Sequence, residues 1–209
     1  MSISPVPVFG SLEDTAAEAA RCRRCRLCET RTNVVFGAGD PDADLMFVGE
    51  GPGAEEDLRG EPFVGRAGRL LTGLIEGIGL GRGDVYIANV VKCRPPGNRD
   101  PRPDEMEACL PFLRAQVGFV EPRVVVTLGN VATRALLDTK EGITRLRGTE
   151  HPFGDAVLVP TLHPSAVLRG GGAALARARA DFVTVKRVLA RCSAARPAPV
   201  PAPGAEVEP

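Results

Sequence analysis

Short, wholly apolar runs alternate along the chain with longer stretches in which apolar residues recur every three or four positions. DLMFVGE at 44–50 is one such run, ending in glycine, and VYIANVV (85–91), RVVVTLG (123–129) and AVLVPTLH (156–163) repeat the form. Runs this short and this uniformly apolar predict strands covered on both faces. Between them, residues 65–79 place Leu70, Leu71, Leu74, Ile75 and Ile78 on one stripe, as a helix does. Helices are likewise predicted over 105–120, despite Pro111, over NVATRALL, and over 173–192, where Leu175, Phe182, Val185 and Leu189 align. Ser11 with Asp14 three residues on marks an earlier helix start. ITRLRGT reads as irregular. Strands alternating with helices predict an α/β fold: a single three-layer αβα domain around a four-stranded parallel sheet.

In such a sheet, ligands gather where the strands end. The first strand runs into GEGPG, and the second contains Asn89 and exits into KCRPPGNRDPRP. The third exits into GNVATR and the fourth into HPSAVLRGGG. Glycines, amides and bases therefore converge on one rim, which predicts a site whatever its chemistry.

Composition narrows the picture. The 209 residues suit one domain over 11–195, with an N-terminal extension over 1–10 and a disordered tail over 196–209, which holds five prolines. Lys and Arg (26) balance Asp and Glu (26), so any nucleic-acid surface must be a local patch. The start has no basic and apolar leader, and no run is long enough to span a membrane, so a cytoplasmic protein is expected, and a monomer. That address disfavours disulfides among the six cysteines. Cys22 and Cys25 stand at chelate spacing, while Cys93 and Cys109 form a wider pair. Two such pairs admit zinc, an iron–sulfur cluster or inert buried thiols. Cys28 and Cys192 are left over.

GEGPGAEEDLRGEPFVGRAGRLL closely resembles family 4 of the uracil-DNA glycosylases, the iron–sulfur branch of that superfamily. The resemblance continues through RTNVVFGAGDPDADLMFVGEGPG, VYIANVVKCRPPGNRDPRPDE and PTLHPSAVLR, and covers about residues 20–192. It implies a DNA-repair enzyme that flips uracil out of single- or double-stranded DNA and hydrolyses the bond to the sugar, opening base excision repair. It also implies a 4Fe–4S cluster on Cys22, Cys25, Cys93 and Cys109, with Cys28 outside the set. Arg21, Arg23, Arg24 and Arg26 would then be phosphate contacts or a solvated helix end.

The same resemblance assigns roles around the rim. Phe63 would stack on the extruded base, Asn89 would read its edge, and His163 would stabilise the departing uracil anion. Glu50 and Gly51 would sit beside the attacking water and sugar, and Glu56 beside C5 of the base. Ser165 would grip a phosphate, and Val167, Leu168 and Arg169 would fill the gap in the stack. Lys92, Arg94, Arg99 and Arg102 would form a second backbone-contacting strip, whereas Glu55 and Asp57 would face solvent or cap a turn. His151 matches no motif. Taken without the motifs, Phe63 also fits a core position and Asn89 a strand-end hydrogen bond.

Three rivals remain. A related branch forms a covalent adduct with uracil-containing DNA, but its inserted loop with a reactive histidine is missing from KCRPPGNRDPRPDE. A nucleotide-binding module would want a fuller glycine motif than GEGPG. A plain iron–sulfur electron carrier would leave Phe63, Asn89 and His163 idle.

Overall fold

The computed structural model describes residues 9–194, so the tail over 196–209 and most of the extension over 1–10 lie outside the described residues. Among these residues six strands form one sheet: β1 (Ala38–Gly39), β2 (Leu45–Gly49), β3 (Tyr86–Asn89), β4 (Val124–Leu128), β5 (His151–Phe153) and β6 (Ala156–Thr161). The order is β1-β3-β2-β4-β6-β5. The inner strands β3, β2, β4 and β6 run parallel. The expected sheet of four strands is thus corrected to six, because two short antiparallel strands close its edges. An edge strand otherwise offers unpaired backbone to any passing chain, and short flanking strands blunt it.

Strand periodicity sorts the core into two layers. On one face Met46, Val48, Ala88, Val125 and Leu158 meet Ala19, Phe112, Leu113 and Ala132. These come from α1 (Leu12–Ala20), α4 (Pro103–Val120) and α5 (Asn130–Leu137). On the other, Leu45, Phe47, Ile87, Val126 and Val159 meet Leu71, Ile75, Phe182 and Val185. That layer belongs to α3 (Arg66–Glu76) and α7 (Pro164–Ala194). Two shorter helices, α2 (Ala54–Arg59) and α6 (Ile143–Leu146), occupy segments whose sequence carries no apolar stripe. Ser11 caps α1 as its sequence predicts, accepting from the Asp14 amide at 3.0 Å.

Residues 164–169 of HPSAVLR form the start of α7; the helix breaks at Gly171, whose φ of 63° lies in the left-handed region. No helix among the described residues is long and apolar enough to cross a membrane.

Candidate active site

At the carboxyl ends of the parallel strands lies a cavity of about 530 Å³, and Glu50, Gly51, Glu56, Phe63, Asn89, His163 and Ser165 all line it. Its size suits a small planar ligand together with part of what carries it.

β3 delivers Asn89, which is 1% exposed, and its Oδ1 has no hydrogen-bond partner. A buried acceptor left unpaired costs roughly 1–3 kcal/mol, so this one is poised for a donor that the protein itself does not supply. Phe63 adopts a φ of 53°, unusual for a bulky residue. Its ring centroid stands 5.9 Å from that of His163, tilted by 38°. Two glycines permit this. A Cβ on Gly68 would collide with the Phe63 carbonyl, and one on Gly49 would strike both the Phe63 ring and Asn89 Oδ1.

His163 precedes α7. The Ser165 amide donates to its Nδ1 at 3.2 Å, so that nitrogen is an acceptor. Burial, reinforced by the Arg169 charge, lowers the imidazole pKa to about 4. The ring is therefore neutral at pH 7 with its proton on Nε2, a donor with no charge of its own. Glu50 moves the other way: burial first, then the nearby Asp100 charge, raise its pKa to about 7. A carboxylate that titrates near neutrality is matched to a general base.

Glu56 does more than line the cavity. Its Oε1 accepts from the Val64 and Gly65 amides at 3.0 and 2.9 Å, directly after Phe63. Asp57, expected to face solvent or cap a turn, is 3% exposed and accepts from the Thr32 amide at 2.8 Å, because the chain leaving the cysteine run needs a partner there. Lys92, expected on a DNA-facing strip, is 1% exposed. Its Nζ donates to the Asn89 carbonyl at 2.7 Å and to Gln116 Oε1. Burial lowers its pKa to about 8, still charged at pH 7. Arg99 of the same strip lines the cavity while gripping Glu105 at 2.6 Å. Val167 is core rather than wedge, whereas Leu168 is 42% exposed. Asp100 and Asn130 on the cavity wall were not singled out by sequence; their only mark is a place in the segments that follow β3 and β4.

A second, smaller cavity is lined by Cys22, Cys25, Cys93 and Cys109, and by Cys28, which the resemblance left outside the set. Cys192 packs elsewhere, against the α3–α7 layer. Arg31 Nη1 lies 3.2 Å from Cys93 Sγ, and the Lys92 amide lies 3.2 Å from Cys109 Sγ. Burial raises the Cys109 thiol to about 12. Thiolates this deep become stable only beside positive charge, which a bound metal core supplies and the N–H donors assist. Among the described residues no three such side chains converge on one ion position. Four cysteines lining one cavity fit a thiolate-held metal or iron–sulfur group. Of the neighbouring arginines, Arg24 lies over the Phe112 ring at 5.0 Å, and Arg21 pairs with Glu18 at 3.9 Å.

The family described as the uracil DNA glycosylase superfamily matches residues 36–186. A type-4 uracil-DNA glycosylase of Thermotoga maritima is 49% identical over 160 residues, 76% of this chain and 83% of that one. Type-4 uracil-DNA glycosylases of Sulfurisphaera tokodaii and Archaeoglobus fulgidus are each 46% identical, over 76% of this chain and over 76% and 83% of theirs.

Proposed function

The chain belongs to the uracil DNA glycosylase superfamily, alongside its type-4 members, and on that premise we propose that it excises uracil from DNA by hydrolysing the N-glycosidic bond. The observation that carries this reading is the unpartnered Asn89 Oδ1, buried in a cavity that also presents Phe63 and His163.

An asparagine amide offers one acceptor and one donor. Uracil presents N3–H and O4 in complementary order, whereas cytosine presents a ring acceptor and an amino donor. An amide fixed in one orientation leaves cytosine mispaired in a buried site, a mismatch that discriminates steeply. The Phe63 ring replaces the stacking that an extruded base loses. As the sugar bond breaks, electron density collects on uracil, largely at O2. The Nε2–H of a neutral His163 stabilises that density without first having to shed a proton. Glu50, in its ionised form, orients water beside Gly51 and offsets positive charge growing on the sugar. Glu56 bounds the cavity near C5, and Ser165 with the exposed Arg169 faces the DNA backbone.

Cys22, Cys25, Cys93 and Cys109 would hold a 4Fe–4S cluster, which braces the N-terminal segment against the exit of β3 and against α4. Arg31 and the Lys92 amide would donate to its thiolates. The bond-breaking step belongs to the other cavity.

Oligonucleotides carrying uracil or cytosine at one position, incubated with the protein and then cleaved with alkali, test the reading. Strand breaks at uracil alone support it. A protein–DNA band stable to denaturation points to the adduct-forming branch, and intact strands throughout refute excision.

A further inference from the structure

Helix α2 has six residues, no side-chain cap and a single buried residue, which is the charged Asp57. Its one large apolar residue, Leu58, is 69% exposed. Apolar packing therefore does not fix this helix, and its position depends on polar tethers. Those tethers lead in two directions. Toward the cysteines, Asp57 Oδ1 accepts from the Thr32 and Asn33 amides at 2.8 and 3.3 Å. Asn33 Nδ2 returns bonds to the carbonyls of Asp57 and Leu58 at 2.8 and 3.1 Å. The segment so gripped follows Arg31, which donates to Cys93 Sγ, and precedes Val35, whose amide bonds the Lys92 carbonyl at 2.8 Å. Toward the base cavity, the adjacent Glu56 holds the Val64 and Gly65 amides and so fixes the turn bearing Phe63.

We propose that Asp57, together with Asn33, is a positioning element: it fastens α2 to the segment leaving the cysteine run, and α2 in turn sets the Phe63 ring through Glu56. This rests on the uracil reading above. The physical case is the strain at Phe63. A bulky residue at φ 53° persists only while its surroundings over-determine it. The two Glu56 bonds do this only if Glu56 stands on a fixed support. The joint with Asn33 is that support, because no buried apolar side chain of α2 can take its place. Loosening the joint lets Phe63 relax toward ordinary backbone and withdraws its ring from the cavity. The thiol side of the molecule and the stacking wall are thereby linked through two neighbouring carboxylates.

The test uses the iron-loaded full chain with Asp57→Ala and Asn33→Ala, each alone and combined with Phe63→Ala. Free uracil as a competitive inhibitor reads the cavity, single-turnover release reads catalysis, and iron content reads the thiol side. Each variant is expected to weaken uracil inhibition about fivefold or more and to slow release similarly, with iron per chain unchanged. In the Phe63→Ala background the same changes should cost less than about twofold, since the ring they position is gone. Asp57→Asn keeps an oxygen acceptor and should restore inhibition to near the parent level. If Asp57→Ala does not fold, Asn33→Ala, which removes only the returning amide bonds, decides alone. Folded, iron-replete variants that bind uracil as the parent does overturn the proposal, as does a penalty undiminished without the Phe63 ring. A parent chain that neither releases uracil nor responds to it removes the glycosylase reading itself, a result told apart from the others before any variant is made.

Discussion

Gly49 packs directly against two residues of the proposed site, Phe63 and Asn89, and adding one methyl group there should disable it. Gly49 ends β2 directly opposite Asn89 of β3. A Cβ at this position would lie 2.5 and 2.7 Å from two ring carbons of Phe63, and closer still to Asn89 Oδ1. Carbon atoms pack at about 3.5–4.0 Å, so the ring must retreat by roughly an ångström and the amide must rotate. Gly49→Ala thus displaces the stacking group and the reading group together. Stacking is worth about 1–3 kcal/mol per base and the edge hydrogen bond about 0.5–1.5 kcal/mol. Losing both predicts a fall in single-turnover uracil release on the order of 10- to 1,000-fold. Overpacking should lower stability by about 1–3 kcal/mol at the same time. Gly73→Ala is the control: it lies in α3 with no atom within 4 Å of an added Cβ, and a helix gains from alanine there. Binding to undamaged DNA should change little in either variant, because the residues proposed to face the DNA backbone, Ser165 and Arg169, are not among those an added Cβ would strike. A folded Gly49→Ala protein that releases uracil at the parent rate would refute the placement of Phe63 and Asn89 on the base.

His163→Ala should slow release by about 100- to 1,000-fold while leaving DNA affinity nearly intact; equal losses in both would contradict a role confined to the transition state. The pH dependence of kcat/KM should be set by Glu50. Its raised pKa leaves it protonated below about 7, so the rate should climb about tenfold per pH unit up to that point and then level off. His163, already neutral above about 4, should add no step in that window, and a flat parent profile between pH 5 and 8 would remove Glu50 as the base. Cys93→Ala should lose iron and visible absorbance together, and a variant that keeps its full iron content would disprove the ligand set.

The central strands were legible because a strand buried on both faces has no choice but to be apolar throughout, as LMFVG and VVVTL are. The edge strands were not, since two or three residues such as Ala38–Gly39 are too few to carry a period. Helix α2 escaped for a related reason: AEEDLR buries only Asp57, so no stripe announces it. Glu50, Phe63, Asn89 and His163, named from motifs, line one cavity, whereas two charged residues lie elsewhere than expected. Lys92 was expected on a DNA-facing strip and Asp57 in solvent or capping a turn, and an isolated charge is costly to bury. Each is inside because neighbours far away in sequence, Gln116 for one and Thr32 for the other, provide bonds that no local pattern reveals.

Lys92 also explains how two cavities with unrelated chemistry can be held in one register. Strand β3 delivers Asn89 to the base cavity, and four residues later the same chain delivers Cys93 to the thiol cavity. Between them the Lys92 amide donates to Cys109 Sγ, while its ammonium reaches back to the Asn89 carbonyl and across to Gln116 on α4. Past the end of the strand, the Asn89 carbonyl would otherwise be a buried acceptor in search of a donor. Supplying that donor from a residue whose amide bonds Cys109 ties the backbone at the exit of β3 to the thiol side. A neutral side chain of similar length would fill the space but orphan both the carbonyl and the Gln116 oxygen. The cost of keeping an ammonium fully buried is therefore offset by the bonds it makes to the Asn89 carbonyl and to Gln116, which anchor the backbone that carries the proposed base-reading amide.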